Sequence, residues 1–342
     1  MTQMTTHFIK HIRPQDSLSS LASRIGITEE ELKIFHNRNC GKMDRIWFGN
    51  LTGVEFILIP TLYLSEQKLK ILQENMLPPA VYFPGFHAPE YLVSETFKES
   101  RQENSECKYT VQLTVRNNGD GFTAELSAED FRLNGAVPED KVSSLSLDCM
   151  KSISPVSFRL SAGGNVASCS AHQNTVEKFR SKRKHLEDFH TGELSEKYLD
   201  TFDDAVSDEP YFFRRMHSCL WIRLLFPDLK WFHQQAGWKE EFFIHSHSFP
   251  LLFHFHADYS FEDADCAETR ITGILSESCS LRELLKGTRI EEEDPEDLIH
   301  AEIQIRYFTY KATGQLYEAE SCVSLWHQDR LFQKHLVYLT QK

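Results

Sequence analysis

Two segments of the chain decide the fold of its N-terminal part: HFIKHIRPQDSLSSLASRIGITEEELKIFHN at residues 7–37 and GVEFILIP at residues 53–60. Residues 7–12 alternate apolar and polar side chains, as a half-buried strand does. Pro14 ends this strand because proline has no backbone N–H to donate. Residues 54–59 are a continuous β-favouring run, so the pattern predicts a strand at each end of the region.

Between these strands the sequence predicts two helices. Asp16 is positioned to cap the first helix, which ends at Gly26. The apolar side chains of this helix share one stripe and are Leu18, Leu21, Ala22 and Ile25. Thr28 begins the second helix, with Glu31 three residues later as in a capping box, and the helix ends before His36. The predicted order is strand, helix, helix, strand.

This region resembles the LysM module. The matching residues follow the order of the family's pattern and are Ile12-Arg13-Pro14-Gln15-Asp16-Ser17-Leu18, Leu21-Ala22, Gly26-Ile27-Thr28, Glu31-Leu32, Asn37, Gly53 and Leu58-Ile59-Pro60. The resemblance covers roughly a sixth of the chain. It implies a small βααβ unit in which two helices pack on one side of a two-stranded antiparallel sheet.

Members of this family mostly bind glycans that contain N-acetylglucosamine, such as peptidoglycan or chitin, in a shallow groove between two loops. The resemblance implies a groove lined by Pro14, Gln15, Asp16, Ser17, His36, Asn37, Arg38 and Asn39. Two departures disfavour sugar binding. Gln15 stands where the family usually has a glycine that lets backbone approach a sugar ring. The connection before the last strand is also longer than usual and contains Trp47 and Phe48.

The composition limits the class of protein. A chain of 342 residues exceeds what one core usually serves, which predicts a small module and a larger domain. The formal net charge of −13 disfavours binding to nucleic acid or to an anionic membrane. The eight cysteines are scattered without a Cys-x-x-Cys pair, which indicates reduced thiols.

The start of the chain has no apolar segment typical of a secretory signal, and no run is long enough to span a bilayer. We therefore expect a protein that is made in the cytoplasm and has no membrane span. A specialised secretion machine is the route left open for export.

The rest of the chain predicts an α+β fold: an antiparallel-sheet domain with a central helical segment. The predicted domains are a LysM-like module at 1–62, a helix and linker at 63–106, and an α+β domain at 107–342. Within the last domain, strands are expected at 109–170, helices at 174–226 and strands at 240–340. The helix before the linker is expected at 62–77, and the linker within 78–106 because of its prolines and polar residues.

The first helix of the central segment is predicted to be capped by Asn174, with Phe189 at the end of its apolar face. Its opposite face is a basic cluster formed by Lys178, Arg180, Lys182, Arg183 and Lys184. This cluster is typical of a solvated helix face, and it could also meet an acidic partner.

Four histidines are the candidate metal ligands: His245, His247, His254 and His256. Residues two apart on a strand share a face, so two paired strands could bring all four imidazoles together for zinc, copper or nickel. The alternative is that they simply occupy the outer face of the sheet. The chain has no phosphate-binding glycine loop, no Gly-x-Ser-x-Gly and no His-Glu-x-x-His motif, so neither catalysis nor a cofactor is predicted.

The sequence therefore predicts a non-catalytic binding protein. Its partner would be an N-acetylglucosamine glycan, such as peptidoglycan, recognised by the LysM-like module. One alternative is a cytoplasmic adaptor or structural component of a contractile injection or type VI secretion type assembly, with a protein partner. Another is a metal-dependent hydrolase whose site lies near the histidines.

Overall fold

The structure, a computed structural model, describes residues 7–60, 73–99, 104–245, 248–285 and 297–342. The chain divides into two compact units, Met1–Asn75 and Met76–Lys342. Mixed helix and sheet are present, and the second unit contains an antiparallel sheet of 11 strands. Most of the helix expected at 62–77 falls outside the described residues.

Within residues 7–60, the first unit has strands and α-helices in the order that the sequence predicts: β1 (His7–His11), α1 (Leu18–Ile25), α2 (Glu29–Asn39) and β2 (Phe56–Pro60). The strands pair antiparallel, with His7 opposite Pro60 and His11 opposite Phe56. The buried core of this unit is formed by Leu18, Leu21, Ala22, Ile27, Leu32, Ile46, Ile57 and Ile59. It is a small core, contributed by both helices, the second strand and the loop before it.

The helix ends of this unit confirm some predictions and correct others. The Thr28–Glu31 capping box is present, and Gly26 ends α1 with a positive φ of 75°. However, the N-cap of α1 is Ser17 and not Asp16, because the Ser17 hydroxyl reaches the N–H of Ser20. Helix α2 also continues to Asn39, past its predicted end.

The strands of the large sheet are β3 (Glu90–Glu99), β4 (Ser105–Asn117), β5 (Phe122–Leu133), β6 (Val156–Leu160), β7 (Val166–Cys169), β8 (Trp238–Phe242), β9 (Leu251–Ser260), β10 (Cys266–Leu275), β11 (Ile299–Tyr310), β12 (Leu316–His327) and β13 (Arg330–Gln341). Their order across the sheet is β7-β6-β5-β4-β3-β13-β12-β11-β10-β9-β8. The two ends of this unit therefore meet in the middle of the sheet, where Glu95 of β3 lies opposite Val337 of β13.

The helices of the second unit are α3 (Lys141–Ile153), α4 (His172–Phe189), α5 (Glu193–Ser207), α6 (Glu209–His217), α7 (Leu220–Leu225) and α8 (Leu281–Leu284). Residues alternate between buried and exposed along β11 and β9, as expected when one sheet face packs on a core. Helix α7 packs against β12 and β13 in the middle of the sheet. The side of the central strands that faces α7 is therefore the inner face.

The prediction of a linker within 78–106 is wrong, because ten of these residues form β3 at the centre of the sheet. Strand β3 contains many polar side chains, so an alternation of apolar and polar residues is hard to recognise in its sequence. In the structure the alternation is present, because Tyr91 and Val93 are both buried. The strands expected at 109–170 are present as two hairpins, β4–β5 and β6–β7, with helix α3 between them.

The helical segment differs from the prediction at three places. Helix α4 starts at His172, and the residue before it, Ala171, has a left-handed backbone conformation with a φ of 51°. Asn174 therefore lies inside the helix and does not cap it. Phe189 is exposed and not part of the core face. The last part of the helical segment expected at 174–226 is two helices, α6 and α7, separated at Ser218 and Cys219.

The basic cluster on α4 is partly neutralised within the fold. Arg183 forms ion pairs with Asp200 and Asp203 of α5, and Arg180 also contacts Asp203. Helix α5 thus supplies acidic partners to the cluster. Such pairs on a surface contribute about 1 kcal/mol or less each.

Candidate functional site

The residues expected to line a glycan groove lie in two places in the first unit. Pro14 and Gln15 are exposed in the connection between β1 and α1. Arg38 and Asn39 are exposed in the last turn of α2, and not in a loop as predicted. The side-chain amide of Asn39 donates to the backbone carbonyl of Phe35, at 2.8 Å, so one of its two N–H groups is already used inside the helix.

The Asp16 carboxylate is engaged within the unit. Its Oδ2 accepts from the Lys10 ammonium at 2.6 Å and from the Arg13 backbone N–H at 3.0 Å. Both hydrogen bonds lower the pKa of Asp16 from its ordinary value, and the bond from Lys10 has the larger effect. Only 2% of the side chain is exposed, so this carboxylate closes the turn after β1 and offers little surface to a sugar.

His36 is fully buried, and the expectation that it lines a groove is wrong. It lies one turn after Leu32 and therefore on the core face of α2. Its Nδ1 accepts from the Leu58 N–H at 3.1 Å, so its Nε2–H donates to the carbonyl of Asp44 at 2.7 Å. The imidazole joins helix α2 to strand β2 and to the loop between them.

Asn37 also has a structural role. Its amide donates to the Ile46 carbonyl at 3.0 Å, and its Oδ1 accepts from the Ile46 N–H at 2.8 Å. Both ends of the side-chain amide are occupied by one backbone position. Because the Ile46 side chain is itself buried in the core, the loop after α2 is held at a defined place.

The residues around this anchor are the most exposed large apolar side chains of the unit. Met43 is 93% exposed, Trp47 69% and Phe48 77%. We call residues 43–48 the apolar loop. The sequence signal for it is the lengthened connection with its two aromatic residues, which sequence reasoning treated only as a departure from the family pattern.

The four candidate metal ligands do not form a site in the described part of the chain. Strand β8 ends at Phe242, so His245 lies beyond it, whereas His254 and His256 are exposed on β9. His247 is outside the described residues. Among the residues that are described, no group of three or more His, Cys, Asp or Glu side chains could hold a metal ion.

The second unit contains a cleft that the sequence did not suggest. It has a volume of about 320 Å³ and lies between the ends of β3 and β13 on the inner face, the start of α7 and the segment after β8. Its described lining residues are Glu95, Phe97, Glu99, Ser218, Cys219, Leu220, Trp221, Phe243, Ile244, His245, Val323, Gln333 and His335. They come from segments far apart in sequence, which is why no local motif reveals them.

Glu95 is the centre of the hydrogen bonds in this cleft. Its two oxygens accept from the Tyr109 hydroxyl at 2.6 Å and from His335 Nε2 at 2.9 Å. Phe97 stacks on the imidazole of His335 with 4.1 Å between ring centroids. Burial, and secondly the charge of Glu95, raise the pKa of Cys219 to about 12, so this thiol is a poor nucleophile at neutral pH.

Within the described ranges, no helix combines the length and the apolar content needed to cross a bilayer. No protein-family model matches the chain, and no curated protein matches it. The chain is similar to a solved structure that is described as lipid–protein interactions in lipovitellin, at 9% sequence identity and a TM-score of 0.41. The match covers 74% of this chain and 24% of that one, so the chain spans about a quarter of the length of lipovitellin.

Proposed function

We propose that the chain is a non-catalytic binding protein whose first unit, similar to a LysM module, contacts a protein partner through the apolar loop. One observation carries this proposal. Met43, Trp47 and Phe48 are exposed, whereas three of the polar side chains expected to hold a sugar, Asp16, His36 and Asn37, are bonded within the unit.

The apolar loop has the composition of a contact surface. Isolated exposed apolar residues are ordinary, but three large ones within six residues are a concentration that water disfavours. Tryptophan, phenylalanine and methionine are enriched at the centres of protein interfaces, and tryptophan is frequent among the residues that dominate binding energy. A partner surface that covers Trp47 and Phe48 would remove this apolar area from water.

The loop is also held ready for binding. The hydrogen bonds between Asn37 and Ile46, and the burial of Ile46, fix the backbone next to Trp47 before any partner arrives. Less conformational entropy is then lost on association, which favours affinity. By analogy with LysM-like modules in contractile injection and type VI secretion assemblies, we place the partner in a larger assembly of that type.

Glycan recognition is the second candidate, and a different observation favours it. Gln15 and Arg38 are exposed, and neither side chain makes a hydrogen bond or ion pair within the described part of the chain. Both side chains can donate hydrogen bonds to sugar hydroxyl groups. An exposed Trp47 ring can in addition cover the apolar face of a sugar ring.

Site-specific crosslinking distinguishes these partners. A photo-reactive residue is placed at Phe48 in the full chain, in the cells that produce it, and at Ser19 on the exposed side of α1 as a control. We expect a protein adduct of discrete mass from position 48 that Trp47→Ala abolishes, and none from position 19. Equal labelling from both positions would contradict the proposal.

The glycan candidate has its own measurement. The purified full chain is sedimented with insoluble peptidoglycan and with chitin, alongside Gln15→Ala and Trp47→Ala variants. We expect the wild-type chain to remain in the supernatant. Sedimentation that either variant loses would favour the glycan and overturn the protein partner.

A further inference from the structure

The cleft of the second unit has an uneven set of charges. Its described lining includes the carboxylates of Glu95 and Glu99 and contains no lysine or arginine. The basic groups of the described lining are the imidazoles of His245 and His335, of which His335 contacts Glu95, and Arg215 lies close enough to Cys219 for its charge to act on the thiol. A cleft with two carboxylates in its lining favours positively charged ligands over anionic ones.

Glu95 lines the cleft with 13% of its side chain exposed, in contact with Tyr109 and His335. Each of its oxygens accepts one hydrogen bond from the protein, and a carboxylate oxygen has a second lone pair for another donor. The Tyr109 hydroxyl stays protonated and keeps donating, because burial and then the charge of Glu95 raise the pKa of this tyrosine well above its ordinary value. The carboxylate is therefore fixed in orientation while retaining acceptor capacity.

Aromatic rings form the walls around this carboxylate. Phe97, Trp221 and Phe243 line the cleft, and each is partly exposed in a region where most neighbouring side chains are buried. The face of an aromatic ring carries partial negative charge and attracts cations, most strongly for tryptophan. Carboxylate and aromatic faces together are the combination that recognises organic ammonium groups.

The volume of the cleft and the protonated state of its cysteine limit the kind of ligand and chemistry that the cleft can support. Its volume of about 320 Å³ is at the lower end of sites for small molecules, which are about 300–1,000 Å³. The Cys219 thiol is kept protonated by burial, so the cleft lacks an activated thiol nucleophile. We propose that this cleft binds a small organic cation, with its ammonium group near Glu95 and its carbon substituents against Trp221 and Phe243.

The first test uses the wild-type full chain and three probes, measured by isothermal titration calorimetry. Choline supplies a quaternary ammonium, 3,3-dimethyl-1-butanol has the same shape without charge, and butyrate carries the opposite charge. We expect choline to bind about tenfold or more tightly than the neutral probe, as a desolvated cation over aromatic rings would. We expect butyrate not to bind.

The second test uses variants with a matched control. Glu95→Gln keeps the shape of the side chain and removes its charge, and Trp221→Leu removes one aromatic wall. Glu129→Gln on β5 makes the same change of net charge at an exposed position. Choline affinity should fall about tenfold in the first two variants and stay unchanged in the third.

Three results would each overturn the proposal. They are an absence of choline binding to the wild-type chain, equal binding of choline and its neutral analogue, and unchanged affinity in both cleft variants. The comparison of probes needs no substitution, so it remains decisive if Glu95→Gln does not fold.

Discussion

The two units differ in where their buried polar side chains are bonded. In the first unit, His36 and Asn37 bond the backbone of the loop after α2, while Asp16 closes a turn with its carboxylate. In the second unit, several buried hydroxyls have no hydrogen-bond partner in the described part of the chain: Thr269, Tyr307, Thr309 and Ser321. The first unit also has two buried nitrogens without a partner among the described residues, His7 Nδ1 and Arg45 Nε, so the contrast concerns hydroxyl groups: the unpaired ones lie in the large sheet.

Size explains the difference. A small domain buries a smaller fraction of its surface than a large one, so side-chain hydrogen bonds and caps contribute a larger share of its stability. The large core has enough apolar burial to offset an unpaired hydroxyl, which costs about 1–3 kcal/mol. A polar residue near a predicted ligand groove in the small unit is therefore more often a structural one.

The largest effect is expected from the apolar core of the second unit. Phe179 on α4 is fully buried beside Phe202, so Phe179→Ala should lower the free energy of unfolding by about 3–5 kcal/mol. Urea denaturation followed by amide exchange in sheet peptides measures it. Phe189→Ala, an exposed position on the same helix, should change it by less than about 0.5 kcal/mol. Equal losses would mean that α4 does not pack as described.

Acid should weaken the second unit through His87. This imidazole is buried, its Nε2–H donates to the Leu225 carbonyl, and burial lowers its pKa from 6.5 to about 4. The unfolded chain binds the proton first, so stability is complete above pH 6.5 and decreases towards pH 4. The loss attributable to His87 is about 3 kcal/mol.

Urea denaturation between pH 6.5 and pH 4 tests this window. A His87→Gln variant should show a shallower dependence on pH than the wild type. His256→Gln, at an exposed position on β9, should retain the wild-type dependence. If His87→Gln and wild type respond alike, the histidine does not remain neutral on folding.

The next largest effect on stability is expected from the buried imidazole of His36 in the first unit. His36→Leu replaces the imidazole by an apolar side chain and leaves the Leu58 N–H and the Asp44 carbonyl without their partner. The free energy of unfolding should fall by about 2–3 kcal/mol, seen as faster amide exchange in peptides from 7–60. His11→Leu makes the same change at an exposed position and should leave exchange nearly unchanged.

The smallest effect should come from removing an unpaired hydroxyl in the second unit. Tyr307→Phe deletes a buried oxygen without a partner, so stability should stay the same or rise by about 1 kcal/mol. Tyr91 is the matched control, because its hydroxyl donates to Leu316 and accepts from the Ala88 N–H. Tyr91→Phe should destabilise by about 1–2 kcal/mol. Losses of equal size would contradict the absence of a hydrogen-bond partner for the Tyr307 hydroxyl.

Local signals predicted much of the fold. The Thr28–Glu31 box, the turn at Gly26 and the alternation of the hairpin strands depend on neighbouring residues, and each appears in the structure. The position of β3 did not follow from its sequence, because its place beside β13 depends on a strand about 240 residues away, as for Glu95 and His335. Helix α3 was missed as well.

The candidate sites were harder to predict for a related reason. A sequence pattern gives the type of a side chain, but it does not show whether the polar atoms are already bonded within the fold. Such bonds give Asp16 and His36 structural roles. The Glu95 cleft assembles β3, β13 and the start of α7, so no spacing of residues announces it. Only the exposed aromatic pair, Trp47 and Phe48, was visible in the sequence as an unusual feature.

The pairing of β3 with β13 has a consequence for biosynthesis. On the ribosome, β3 to β7 can form their hairpins early, but β3 then keeps an open edge until residues 330–341 emerge. An open edge of this length invites pairing with strands of other chains. The producing cell must therefore protect a half-built sheet during the synthesis of the roughly 160 residues between Cys169 and Arg330, and chaperone supply during translation would set the yield of native protein.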